Sequence, residues 1–132
     1  MNIVIVGARE RKETQDDKET AQNLIIALLQ QYRSQLHILS VGCDKGIGKI
    51  VRDFCIEQKI TFVEVRMKFE GEDIPRSFFA HMFLARNYAL TAVGDEYYIF
   101  KGPNENGIIE SIIPDAIKKV GEQRVTLYEW KD

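Results

Sequence analysis

Short apolar runs alternate with longer stretches of helical periodicity along the whole chain. Residues 2–6 (NIVIV), 36–41 (LHILSV), 61–65 (TFVEV), 96–100 (EYYIF) and 124–128 (RVTLY) are rich in β-branched or aromatic side chains, which predicts five strands. Between the first two, Ala21, Leu24, Ile25, Leu28, Leu29 and Tyr32 recur at the spacing of one helix face, predicting a helix that ends near Arg33. Ile47, Ile50, Val51, Phe54 and Cys55 repeat the pattern in the next gap. A third helix is expected over about 76 to 92, with Phe79, Met82, Phe83, Ala85 and Ala89 on its apolar side. The last gap carries Ile108, Ile109, Ile112, Ile113, Ala116, Ile117 and Val120, with Gly121 placed as a stop. Pro114 is tolerated only in a first turn, so this helix should start near Ser111 as its cap, leaving 106–110 as loop.

Strand alternating with helix, with nearly continuous apolar strands, predicts an α/β fold: a three-layer, Rossmann-like domain with a mostly parallel five-stranded sheet and helices on both faces. Right-handed crossovers suggest the strand order 3-2-1-4-5, which places a ligand site at the C-terminal strand ends, where strands 1 and 4 part. No repeat or linker divides residues 1–132, so a single domain is expected. The 132 residues carry 18 Lys plus Arg and 20 Asp plus Glu, a net charge of −2, which argues against extended nucleic acid as a partner. Cys43 and Cys55 form no CxxC pair and are read as reduced thiols; the N-terminus has no signal or membrane-spanning pattern, so a cytoplasmic location is expected.

Three glycine-containing loops fall at the predicted strand ends. The first, Gly7-Ala8-Arg9-Glu10-Arg11-Lys12, combines a tight turn with cations; Arg9 is the preferred anion contact, while Arg11 and Lys12 read as solvated charges. The second, Gly42-Cys43-Asp44-Lys45-Gly46-Ile47-Gly48-Lys49, opens a helix and points backbone N–H groups at an anion. Its spacing is neither a P-loop nor GxGxxG, and Asp44 either accepts a ribose hydroxyl or caps the helix. The third runs from Lys101-Gly102-Pro103-Asn104 to Gly107. His37 and His81 read as structural, and Cys43 has no histidine near it in sequence to activate it. Glu64, Arg66, Lys68 and Glu70 read as a solvated strand continuation, and Phe78, Phe79, Phe83, Tyr88, Tyr97 and Tyr98 mostly as core, with stacking on a base as the alternative for Phe78 or Tyr88.

Taken together, IVIVGAR, SVGCDKGIGKIV, ARNYAL with GDEYYIF, and KGPNENG resemble the SLOG superfamily, the Rossmann-like group that includes the DNA-processing protein and cytokinin-activating LOG families. Gly7-Ala8-Arg9 matches the family's opening, and Arg86-Asn87 followed by Asp95 matches its R-N helix and acidic residue. The hydrolytic branch ends in a P-G-G-x-G-T-x-x-E pattern; here the threonine is missing and Glu110 stands one residue out of register. The resemblance therefore implies a nucleotide-shaped pocket and puts phosphoribohydrolase activity in doubt.

The resulting expectation is a sensor or sequestering module that binds a nucleotide-like ligand. Its contacts would be Gly7, Ala8, Arg9, Gly42, Asp44, Lys45, Gly46, Gly48, Lys49, Arg86, Asn87, Lys101, Gly102, Asn104 and Gly107, with no cofactor or metal. The alternative is a nucleotide N-glycosidase with Glu110 as its catalytic carboxylate. A third reading sets Arg11, Lys12, Lys45, Lys49 and Arg52 against single-stranded DNA. A homodimer is expected through the aromatic third helix, with Phe78, Phe79, Phe83 and Tyr88 as the candidate interface.

Overall fold

A computed structural model describes residues 1–41, 45–65, 79–104, 107 and 109–130, leaving aside the side chains of 79–81. The five strands are β1 (Asn2–Gly7), β2 (His37–Val41), β3 (Thr61–Val65), β4 (Glu96–Phe100) and β5 (Val125–Tyr128). They form one all-parallel sheet in the order β3-β2-β1-β4-β5, as the crossover argument expects. The helices are α1 (Gln15–Tyr32), α2 (Ile47–Glu57), α3 (Phe79–Val93) and α4 (Ile112–Val120).

Alternation along the strands builds the three layers. Ile3 and Ile5 of β1 and Ile38 of β2 pack with Ala21, Ile25 and Leu28 of α1 and Val51, Phe54 and Cys55 of α2. Val4 and Val6, one residue out of phase, pack with Leu39, Tyr97 and Ile99 against Leu90 of α3 and Ile112 and Ala116 of α4. Both sheet faces are covered, which is why the central strands read as unbroken apolar runs. Burial pushes the Cys55 thiol up to about 12, so it stays protonated and serves as core. No helix among the described residues is long and apolar enough to cross a membrane.

Some local expectations need correction. Ser111 does not cap α4 with its side chain: it closes a 3₁₀ turn, Ile109–Ser111, and its hydroxyl accepts from Asn87 Nδ2 at 3.3 Å. Pro114 is then the third residue of α4, inside the first turn, and Gly121 ends the helix as expected. Glu64 is not solvated; its carboxylate is mostly buried, with Arg52 of α2 at 3.6 Å. His37 opens β2 and is exposed, and Tyr88 is exposed rather than core. The expectations for Arg66, Lys68, Glu70, Phe78, Phe79 and His81 fall outside the described residues and side chains.

At the N-terminal end of β4, Glu96 accepts from Tyr32 at 2.5 Å and from Tyr98 at 3.1 Å. The hydrogen bond to Glu96 raises the Tyr32 pKa first and desolvation second, whereas for Tyr98 desolvation leads and Glu96 adds to it. Raised phenol pKa values mean that the fold favours the protonated form. This contribution is complete below the unfolded value near 10 and is lost as pH rises above it. Urea midpoints should thus fall above pH 10 and fall less in Tyr98→Phe; an identical decline in both proteins would contradict the assignment.

Candidate functional site

The C-terminal end of β1 is where the three glycine loops meet. A Cβ on Gly7 would lie 2.6 Å from Ile47 Cβ, so only glycine lets the start of α2 sit against β1. A Cβ on Gly102 would lie 2.7 Å from Ala8 Cβ, so the loop after β4 abuts the loop after β1 in the same way. The first loop is a tight turn: Ala8 N–H donates to Phe100 O at 2.9 Å, and Arg11 N–H donates to Ala8 O at 3.1 Å.

Arg11 corrects the reading of the cation run. It is only 8% exposed and forms a bidentate pair with Asp17, Nε to Oδ2 at 2.8 Å and Nη2 to Oδ1 at 2.9 Å. Its Nη1 donates to Lys101 O at 2.8 Å and to Tyr128 O at 2.7 Å. The guanidinium lies 5.1 Å from the centre of the Phe100 ring, which stacks on Tyr128 at 4.3 Å. Asp17 is presented by the first turn of α1, where Thr14 Oγ1 accepts from the Asp17 N–H at 3.0 Å. Planar, five-donor arginine suits this place, and lysine does not match it.

Arg9 and Lys12, by contrast, are exposed, as are Lys45 and Lys49 beside the start of α2. Gly46 precedes α2 with φ of +77°, and its N–H donates to Glu13 Oε1 at 2.8 Å. The N-cap position of α2 is Gly46, which has no side chain to cap it, and the amides of the first turn, residues 47–49, lie at its N-terminal end. Gly42 and Asp44 lie outside the described residues. The Lys101 side chain leans toward β5, with its ammonium 3.3 Å from Glu129.

Glu110 is 6% exposed, and its Oε1 accepts from Gly102 N–H at 2.7 Å. The other carboxylate oxygen lies against Gly107, where no Cβ would fit. Gly107 itself bonds to Asn104 O through its N–H at 3.1 Å and to Ser111 N–H through its carbonyl at 3.2 Å. Glu110 thus clamps the β4 loop into shape. Asn87, almost fully buried on α3, reaches the same turn through Ser111, and Arg86 beside it lies 5.1 Å from the centre of the Phe83 ring. Of the described ligand candidates, Gly7, Ala8, Gly102, Asn104 and Gly107 belong to one connected set of turns, which Asn87 joins from α3; Lys101 contributes its backbone there and directs its ammonium to Glu129.

One groove lies elsewhere, and a second adjoins this turn at Asn87 and Ser111. The first, of about 840 Å³, runs between α1 and the end of β5, past Trp130. Asp16, Glu19 and Glu129 line it, and the one cation at its floor, Arg11, is already committed to Asp17 and two carbonyls. That lining repels a phosphate. The other, of about 410 Å³, separates α3 from α4. In comparisons with known proteins, no family model, curated protein or solved structure matched the chain.

Removing Arg11 leaves Asp17 buried without its partner, so Arg11→Ala should lose about 3–5 kcal/mol of stability in urea unfolding. The double variant Arg11→Met/Asp17→Leu should recover a large part of that loss. A loss in Arg11→Ala below about 1 kcal/mol would show that the pair is not an anchor.

Proposed function

We propose that the chain is a cytoplasmic, homodimeric binding module of the SLOG type that holds a nucleotide or nucleotide-derived ligand at the strand ends and returns it intact. Convergence of the loops at residues 7–11, 45–49 and 101–104 on the β1 end carries this reading, because a ligand site belongs where a parallel sheet reverses its strand order. Arg9 is exposed beside that junction and takes a phosphate, together with the amides of residues 47–49 and the ammonium groups of Lys45 and Lys49. Asn104, also exposed, takes a ribose hydroxyl. These cations neutralise the ligand locally although the protein is acidic overall.

Burial of Glu110 favours binding over turnover. A carboxylate that stabilises a ribosyl cation must touch the sugar, and this one is turned onto the Gly102 amide of its own loop. The glycosidase reading would require that bond to break first.

Arg9→Ala should keep its fold and lose about 1.5 to 3 kcal/mol of nucleotide binding, one to two decades of affinity, by calorimetry. Unchanged affinity would overturn the assignment of Arg9. Incubating the wild type with nucleoside monophosphates should release no free base on chromatography; release that Glu110→Gln abolishes would establish the enzyme instead.

A further inference from the structure

The N-terminal end of α2, to which the proposed function assigns a phosphate, already carries an anion of the chain's own. Glu13 Oε1 accepts from Gly46 N–H at 2.8 Å, across 33 residues of sequence. Ile50 N–H is the first to bond inside the helix, to Gly46 O at 3.1 Å, so the amides of residues 46–49 find no carbonyl within α2. Those donors and the positive end of the helix dipole favour an anion there. Glu13 is exposed and follows a run that holds Arg9, Arg11 and Lys12, yet among the described residues its carboxylate bonds to this amide and to no cation.

The carboxylate is held in place from both sides. Thr14, the next residue, is the N-cap of α1, with its hydroxyl on the Asp17 amide, and Asp17 in turn holds Arg11. A Cβ on Gly46 would lie 3.8 Å from Arg11 O, so the backbone of the first loop runs alongside the start of α2. Gly46 takes a φ of +77°, which glycine adopts without strain, and in that conformation its amide meets Glu13.

We propose that Glu13 is a built-in competitor for the phosphate subsite and sets which anions the site accepts. The proposal rests on the nucleotide reading above and adds the regulation of that same site. A phosphate on the amides of residues 47–49 sits within one helical turn of the amide that Glu13 holds, and two anions so close repel. Glu13 therefore swings out when the ligand enters. Being part of the chain, the carboxylate faces its amide at an effective concentration on the order of millimolar, so a bare anion below that level does not displace it. The same factor lowers the affinity of every phosphate ligand. A nucleotide keeps useful binding through the contacts of its ribose and base with the other loops, and a bare phosphate does not.

Titrating adenosine monophosphate by calorimetry, and inorganic phosphate by ¹⁵N amide shifts, into the wild type, Glu13→Gln, Glu13→Ala and Glu10→Gln tests this. Glu10→Gln removes the same charge from the same loop, and among the described residues Glu10 bonds to no amide, so it measures the effect of net charge alone. Both Glu13 variants should bind each ligand about 10-fold more tightly, equal to about 1.4 kcal/mol, in about 50 and in about 300 mM salt alike. Glu10→Gln should gain less than about 3-fold, and in the low salt only. Circular dichroism should be unchanged throughout, because both positions are exposed. Unchanged or weaker nucleotide binding in both Glu13 variants, with the wild type still binding, would overturn the competitor and leave the nucleotide reading standing. An equally large gain in Glu10→Gln would overturn it too, by reducing the effect to net charge. No binding of adenosine monophosphate by any of the four proteins would instead overturn the nucleotide reading, and the competitor with it.

Discussion

The buried pair between Arg11 and Asp17 decides where everything at the strand ends sits. Taking two charges out of water is costly, and only the bidentate geometry with two further carbonyl acceptors offsets it. Those four bonds tie the first turn of α1 to the carbonyls of Lys101 and Tyr128, which follow and end two neighbouring strands. The Phe100–Tyr128 stack then lies under the guanidinium as its apolar floor. Without this anchor, the loops after β1 and β4 would lose their common reference point.

From that anchor the site assembles by close backbone approach. Gly7 admits Ile47, and Gly102 admits Ala8, so three loops from separate parts of the chain share one small region. Glu110 and Asn87 add an inner layer, shaping the β4 loop and tying it to α3. The exposed cations Arg9, Lys45 and Lys49 stand outside this layer and are free of its structural duties. Buried support behind and exposed charge in front is the division expected of a binding site carried on loops.

Strands and their order were legible because buried parallel strands have an unambiguous composition and crossovers have one hand. The α1 stripe was legible for the same reason. Arg11 was not, because it sits in a polar run with Arg9, Glu10 and Lys12 that looks uniformly solvated. A signal did exist: Asp17 lies on the same helical stripe as Ala21, Ile25 and Leu28, and a carboxylate on a buried stripe demands a buried cation. The start of α4 at Ser111 was legible from Pro114, but the side-chain cap was not, because Ser111 ends a 3₁₀ turn with helical backbone (φ −64°, ψ −21°) and its hydroxyl accepts from Asn87, 24 residues away. Glu64 likewise depends on Arg52 across a helix and strand that periodicity alone does not bring together. Strand order alone indicates the β1 end as the candidate site; which of its side chains are buried in structural bonds and which stay exposed depends on partners far apart in the chain.

The strand-end site is tested most directly by titrating ¹⁵N-labelled protein with adenosine monophosphate and with ADP-ribose while following backbone amide shifts. The account predicts the largest changes at Ala8, Arg9, Gly46 to Lys49 and Gly102, with α1 and the end of β5 left undisturbed. Shifts confined to the groove beside Trp130, or none with either nucleotide, would contradict it.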